Sequence, residues 1–121
     1  MIGRFFRYGL VGGFATAVHY AVLVLCVEVF QWPAYFGSGV GAVVGAQVAF
    51  FGNRRFTFAH DGALGPAWFK FQGTALLGAL VGMVVVAASV QAGWHYLIGQ
   101  VLATLTSLVL TFAVNRAWTF R

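Results

Sequence analysis

The sequence predicts an all-α membrane protein with four transmembrane helices, and three observations lead to this prediction. Of the 121 residues, 61% are hydrophobic and only 7% are charged, whereas a soluble domain carries roughly a quarter charged residues. The apolar residues form four runs that are each long enough to cross a bilayer as a helix. The basic residues lie before the first run, between the second and third runs, and after the fourth run. Seven basic and two acidic side chains cannot cover a water-facing surface, which excludes a soluble globular domain.

The four runs are expected to form one domain that includes residues 1–121. Their predicted bounds are Tyr8–Phe30, Ala34–Gly52, Phe71–Gln91 and Tyr96–Val114. The first run is too long for the apolar core of a signal peptide, so we expect it to be a retained helix. A turn is expected at residues 60–66, which end at Pro66, inside the polar segment between the second and third runs.

The positions of the positive charges predict the orientation. All seven Lys and Arg residues precede the first run, follow the fourth run, or lie within the central segment Asn53–Lys70. The short links between the other runs contain none. Because Lys and Arg are enriched in cytoplasmic loops, both termini and the central segment are expected in the cytoplasm. The net charge of +5 is therefore mainly a topology signal, and we expect no nucleic-acid partner.

The chain contains an internal repeat with halves at about residues 4–58 and 67–120. The pattern Asn-Arg-x-aromatic-Thr-Phe begins at Asn53 and again at Asn115, an offset of 62. Each half has two runs, so two parallel repeats of the same topology are expected, related by a pseudo-twofold axis along the membrane normal. Small residues four apart predict close helix packing. From these stripes we also expect a homo-oligomer.

Seven residues at the predicted cytoplasmic face are candidates for binding a lipid phosphate. They are Arg4, Arg7, Asn53, Arg54, Arg55, Asn115 and Arg116. A guanidinium group pairs with two phosphate oxygens at once, and an Asn amide adds a donor. Helix capping and anchoring to anionic lipid explain the same residues without a bound substrate, and both interpretations stay open here.

Polar residues inside the predicted spans are candidates for a polar path across the membrane. They are Thr16, His19, Gln47 and Gln72. Polar groups are costly at this depth and usually face a cavity or a neighbouring helix, so hydrogen bonding between helices is the alternative. Glu28 lies near the outer end of the first span, where an outer gate and a surface role are both open.

No catalytic or metal chemistry is expected from this chain. Its only carboxylates are Glu28 and Asp61, its only cysteine is Cys26, and no nucleotide-binding or hydrolase motif is present. We therefore expect no enzyme activity, no metal site and no cofactor.

These motifs resemble those of the GtrA-like family of small membrane proteins. The resemblance rests on Arg7-Tyr8, Val11-Gly12-Gly13, Thr16 and the motifs that begin at Asn53 and Asn115. It implies a four-helix protein that moves polyprenyl-phosphate-linked sugars across the bacterial inner membrane for O-antigen-type or other envelope glycans. This chain has His19 where the family often has an Asp.

Three functions are therefore hypotheses. The first is a flippase in which the Asn and Arg residues collect the phosphate of the lipid-linked sugar, and the sugar passes His19, Gln47 and Gln72. The second is a membrane anchor or accessory subunit of a polyprenyl-phosphate glycosyltransferase partner. The third is a small proton-coupled exporter, which ranks last because its mechanism requires an acid deep in the first span.

Overall fold

The computed structural model describes residues 2–52, 55 and 64–114. Within them it has four α-helices and no strand: α1 (Ile2–Glu28), α2 (Ala34–Gly52), α3 (Leu64–Gln91) and α4 (Tyr96–Val114). Each helix contains a segment that is long and apolar enough to cross a membrane. The predicted all-α membrane protein with four transmembrane helices is thereby confirmed.

Two helices begin before the apolar runs that the sequence marks. α1 begins at Ile2 instead of Tyr8, and α3 begins at Leu64 instead of Phe71. Hydropathy selects the part of a helix that lies in lipid, whereas backbone hydrogen bonding continues into polar surroundings. The turn expected at residues 60–66 is wrong from Leu64 onward, because Pro66 lies in the first turn of α3. Its missing N–H costs no intrahelical hydrogen bond there.

The two hairpins that join α1 to α2 and α3 to α4 are built alike. The N–H groups of Trp32 and Trp94 each donate to a carbonyl near the end of the preceding helix, at 2.9 and 3.0 Å. The residue before each tryptophan has a positive φ, 58° at Gln31 and 90° at Gly93. A left-handed residue at this place ends a helix and turns the chain. The first hairpin begins after Glu28, earlier than the expected end of the span at Phe30.

The helices of each hairpin pack closely through small residues. A Cβ atom added at Gly41 would lie 2.6 Å from the carbonyl oxygen of His19, so α2 touches the backbone of α1 there. In the second hairpin, a Cβ atom at Gly99 would lie 2.8 Å from the Cβ atom of Ser89. Lipid gives helices no hydrophobic reason to associate, so close approach of this kind stabilises the pairs through van der Waals contact.

The four helices form four neighbouring pairs, and the line along which two neighbouring helices meet is called a seam here. Three of the four seams are closely packed. Among the described residues, α1 packs against α2, α2 against α3, and α3 against α4, whereas α1 and α4 make almost no backbone contact. The rings of Phe50 and Phe71 meet between α2 and α3, with centroids 5.4 Å apart. Side chains bridge α1 and α4 instead, for example at 2.8 Å between the hydroxyl oxygens of Tyr20 and Thr104.

One stripe of small residues on α1 is left on the surface, and it predicts contact with a second copy of the chain. The stripe consists of Gly9, Gly13, Ala17 and Ala21, all exposed. We expect Ala17→Phe combined with Ala21→Phe to lower the yield of crosslinked dimer in native membranes several-fold. Ala88→Phe, at an exposed alanine of α3, is the matched control. Trapping of the wild type only as a monomer would contradict the prediction.

Candidate functional site

A cleft of about 300 Å³ lies between the four helices. Its walls reach from Ser38 and Gln100 at one end to Phe71 and Thr111 at the other. At 1.5 Å per residue, the part of α4 from Gln100 to Thr111 gives the cleft a length of about 16 Å. The cleft thus extends along most of α4, from its second turn almost to its end.

Small side chains create this space. Five of the residues along its walls are Gly12, Ala42, Ala46, Ala75 and Ala79. Helices that carry such residues at a shared centre leave a gap there, because a methyl group or a hydrogen atom does not reach the opposite wall. The gap has polar groups at its edge, so it is a cavity of mixed character and not an apolar void.

Two of the predicted path residues, His19 and Thr16, line the cleft. The imidazole of His19 is pressed against α2, since a Cβ atom at Gly41 would meet its Cδ2 atom at 2.6 Å. The Nε2 atom of His19 is buried and has no hydrogen-bond partner among the described residues. A buried polar atom without a partner is costly, so a polar group that reached Nε2 would lower this cost.

A hydrogen-bonded network closes the end of the cleft nearer the hairpins. Ser38 Oγ donates to Gln100 Oε1 at 2.6 Å, and Gln100 Nε2 donates to Thr104 Oγ1 at 3.3 Å. The Tyr20 hydroxyl continues the network from α1 through Thr104. Gln100 is only 1% exposed, so its amide is held in one orientation by partners on two helices. This network fixes the relative positions of α1, α2 and α4.

The central pair of this network, Ser38 and Gln100, was not among the residues selected from the sequence. Both are polar, and they are 62 residues apart, which is the offset of the internal repeat. Two polar residues at equivalent positions of parallel repeats face one another if they lie near the pseudo-twofold axis. That equivalence was the available signal. The repeat arrangement as a whole stays a prediction.

The other two predicted path residues, Gln47 and Gln72, bind each other between α2 and α3. Gln47 Nε2 donates to Gln72 Oε1 at 2.7 Å, and Gln72 Nε2 donates to Gln47 Oε1 at 3.3 Å. Neither residue belongs to the walls of the cleft. The pair satisfies its own polar groups across a helix interface, as amides do in membrane bundles.

We expect Gln47→Leu to lower the free energy of unfolding by about 1 kcal/mol, because the Gln72 amide loses its partner in an apolar interface. Adding Gln72→Leu should restore most of the loss. Unfolding in mixed SDS micelles measures both effects. Under the flippase hypothesis, the double variant should transport the lipid-linked sugar at the wild-type rate, and a stable double variant without transport would place the pair on the path of the substrate.

Arg7 and Arg55, two of the predicted phosphate-binding residues, line one groove between α1 and the end of α2. The groove has a volume of about 780 Å³, and its apolar walls include Leu10, Val11 and Phe14. Both arginines are exposed. Two guanidinium groups beside an apolar surface can bind a phosphate that carries a hydrocarbon chain.

The remaining phosphate candidates cannot be placed in the same way. Arg4 belongs to α1, but its side chain is not among those that the structure describes. Asn53, Arg54, Asn115 and Arg116 lie outside the described residues. Their role in phosphate binding stays a prediction.

Glu28, the candidate outer gate, lies beside the hairpins as the sequence indicated. It is the last residue of α1 and is exposed. The Tyr96 hydroxyl at the start of α4 donates to Glu28 Oε1 at 2.9 Å, so the pair bridges α1 and α4. The described residues contain no group of three His, Cys, Asp or Glu side chains that could hold a metal ion.

The fold and the site together define a multi-pass membrane protein, with four spanning helices around a cleft of mixed character and two arginines on one groove. Residues 7–120 match the family described as GtrA/DPMS, transmembrane domain. The chain therefore belongs to this family, and the resemblance seen in the sequence is confirmed. No curated protein and no solved structure matches the chain significantly.

Proposed function

We propose that this protein translocates a polyprenyl-phosphate-linked sugar across the bacterial inner membrane for glycosylation of cell-envelope polysaccharide. Membership of the GtrA family supports the proposal, because this family is linked to translocation of lipid-linked sugars. Under the positive-inside rule, both termini lie in the cytoplasm, and the substrate is collected at that face.

The observation that carries the proposal is the cleft inside the bundle, which has polar side chains among its walls. A protein that only anchors another needs helix packing but no internal space, whereas a translocase must shelter a polar head group from hydrocarbon. In this proposal the buried Nε2 atom of His19, which has no partner among the described residues, would bind a sugar hydroxyl. Ligand pockets begin at about 300 Å³, so this cleft suits a small head group.

The groove of Arg7 and Arg55 explains why the substrate would be an anionic lipid. When the substrate is first collected, its phosphate would bind the guanidinium groups, and the first part of its hydrocarbon chain would contact the apolar walls of the groove. In this proposal Arg4, Arg54, Arg116 and the adjacent Asn residues extend the cationic surface. No nucleotide-binding motif is present, so transport would run down the gradient that consumption of the sugar maintains.

Purified protein in proteoliposomes tests the proposal. A radiolabelled polyprenyl-phosphate hexose is placed in both leaflets, and an impermeant oxidant then destroys the sugars of the outer leaflet. A translocase exposes nearly all of the label, whereas protein-free vesicles expose about the outer half. Labelled phosphatidylglycerol in parallel vesicles identifies unspecific lipid scrambling. A wild-type protein that exposes no more label than protein-free vesicles overturns the proposal.

The two other hypotheses give different outcomes. An anchor for a glycosyltransferase moves no lipid when purified alone but restores the membrane location and activity of its partner. A proton-coupled exporter would require an acid deep in the first helix, whereas Glu28 is exposed at the end of α1 and bound to Tyr96. Drug resistance that is lost on Glu28→Gln would favour that third function.

A further inference from the structure

The seam between α1 and α4 differs from the other three seams of the bundle. Between α2 and α3, the amides of Gln47 and Gln72 bind each other, and the rings of Phe50 and Phe71 are in contact. Backbones touch within each hairpin. Between α1 and α4, the described residues make almost no backbone contact.

The exposed parts of the cleft wall lie at this same seam. Of the described residues that line the cleft, only Thr16 and Leu108 are exposed. Thr16 belongs to α1, and Leu108, 59% exposed, belongs to α4. The wall residues of α2 and α3 are all buried or half-buried. The cleft therefore communicates with the surroundings of the bundle between α1 and α4.

The two sides of this opening suit a lipid in different ways, because the side on α1 leaves space and the side on α4 is apolar. On α1 the rim includes Gly12, where an added Cβ atom would meet nothing within 4 Å, so this glycine is not required by packing. On α4 the surface beside Leu108 is apolar, with Leu105 55% and Phe112 68% exposed. The interior offers polar groups and the outer rim offers apolar ones.

Among the described residues, hydrogen bonds between α1 and α4 occur only toward the hairpin end of the seam. The Tyr20 hydroxyl lies 2.8 Å from Thr104 Oγ1 and donates to the Gln100 carbonyl at 3.3 Å. Further toward the hairpins, Tyr96 donates to Glu28 at 2.9 Å. The seam is thus open beside Thr16 and Leu108, and it is held together at the hairpin end of the cleft and beyond that end.

We infer that the seam between α1 and α4 is a lateral portal, in which the hydrocarbon chain of a lipid phosphate stays in the bilayer while the head group occupies the cleft. This inference rests on the proposed function. The hydrogen bond between Tyr20 and Thr104 closes the hairpin end of the portal. This hydrogen bond must break before the head group passes to the other leaflet, because the hydrocarbon chain of the lipid moves along the same seam.

Filling the portal is the first test. Gly12→Phe adds a ring at the rim, where an added Cβ atom would meet nothing within 4 Å, so it should lower transport of the labelled polyprenyl-phosphate hexose at least several-fold and leave unfolding in SDS unchanged. Gly3→Phe is the matched control, because it lies on the same helix, has no neighbour within 4 Å and is not part of the cleft. Equal transport by the two variants overturns the portal.

Removing the closing hydrogen bond is the second test. Tyr20→Phe and Thr104→Val should each raise the transport rate about threefold, the factor that corresponds to an intramembrane hydrogen bond of average strength. Their combination should give no further increase over Tyr20→Phe alone, because that variant already removes both bonds of the hydroxyl, to Thr104 and to the Gln100 carbonyl. Thr106→Val is the control, because that hydroxyl bonds within its own helix. Rates that stay unchanged or fall in both variants overturn the closing role.

Photocrosslinking separates this inference from the proposed function, because it requires no transport. A photoreactive residue at Leu108 should label an alkyne-tagged polyprenyl phosphate several-fold more than one at Leu80, which is 52% exposed on the surface between α2 and α3. Unlabelled polyprenyl phosphate should compete, and phosphatidylglycerol should not. Equal labelling at the two positions overturns the portal. A wild type that is labelled at Leu108 but transports nothing overturns the proposed function alone.

Discussion

Gly41→Leu is expected to lower the free energy of unfolding by about 3 kcal/mol, near the upper end of the usual cost of overpacking. A Cβ atom at this position would lie 2.6 Å from the carbonyl oxygen and 2.6 Å from the ring Cδ2 atom of His19. The carbonyl belongs to the backbone of α1, so rotation of a side chain cannot make room. The helices must separate, and the contact between them is lost. SDS unfolding followed by circular dichroism measures the change.

Gly73→Leu is the matched control for this substitution. Gly73 lies on α3, and a Cβ atom added there would meet nothing within 4 Å. The control should unfold at the wild-type fraction of SDS or slightly above it, because leucine favours a helix more than glycine does. Equal destabilisation of the two variants would contradict the close contact between α1 and α2.

Arg7→Gln combined with Arg55→Gln is expected to lower transport of the lipid-linked sugar roughly a hundredfold, since each charge-assisted hydrogen bond contributes about 1.5–3 kcal/mol. Both arginines line one groove with apolar walls. Glutamine keeps a polar side chain but removes the charge that binds phosphate. The initial rate in proteoliposomes gives the effect, and equilibrium binding of polyprenyl phosphate shows whether the loss lies in binding.

Lys70→Gln is the control for general charge. Lys70 is exposed near the start of α3 and does not line the groove, so its loss should leave the rate within about twofold of wild type, as expected for a screened surface charge. Arg7→Lys with Arg55→Lys should retain part of the activity, because lysine keeps the charge but cannot pair with two oxygens in a plane. A similar loss from Lys70→Gln would contradict a specific phosphate site.

The helices were largely predictable, and the reason is the bilayer. Within the described residues, α2 and α4 coincide with the apolar runs, because short links at the hairpins set where both helices begin. α1 and α3 begin earlier, at Ile2 and Leu64. Their first turns lie outside the apolar runs, where hydropathy carries no information about helix formation.

The candidate site was predictable only in part. Depth within the first span selected His19, and the structure places it on the wall of the cleft. The same criterion selected Gln47 and Gln72, which bind each other, and it passed over Gln100, which is almost completely buried. The depth of a polar residue in the membrane indicates that its side chain needs a hydrogen-bond partner, but it does not indicate which partner.

The sequence determined the class of protein, the number of spans and the family, because apolar length and a repeated motif are properties of the chain itself. The tertiary structure decided which seams of the bundle are closed. Lipid is as apolar as leucine, so hydropathy does not select neighbours among membrane helices. Close approach at residues such as Gly41 and hydrogen bonds such as Ser38 to Gln100 make that selection. The same contacts leave the space beside His19 open.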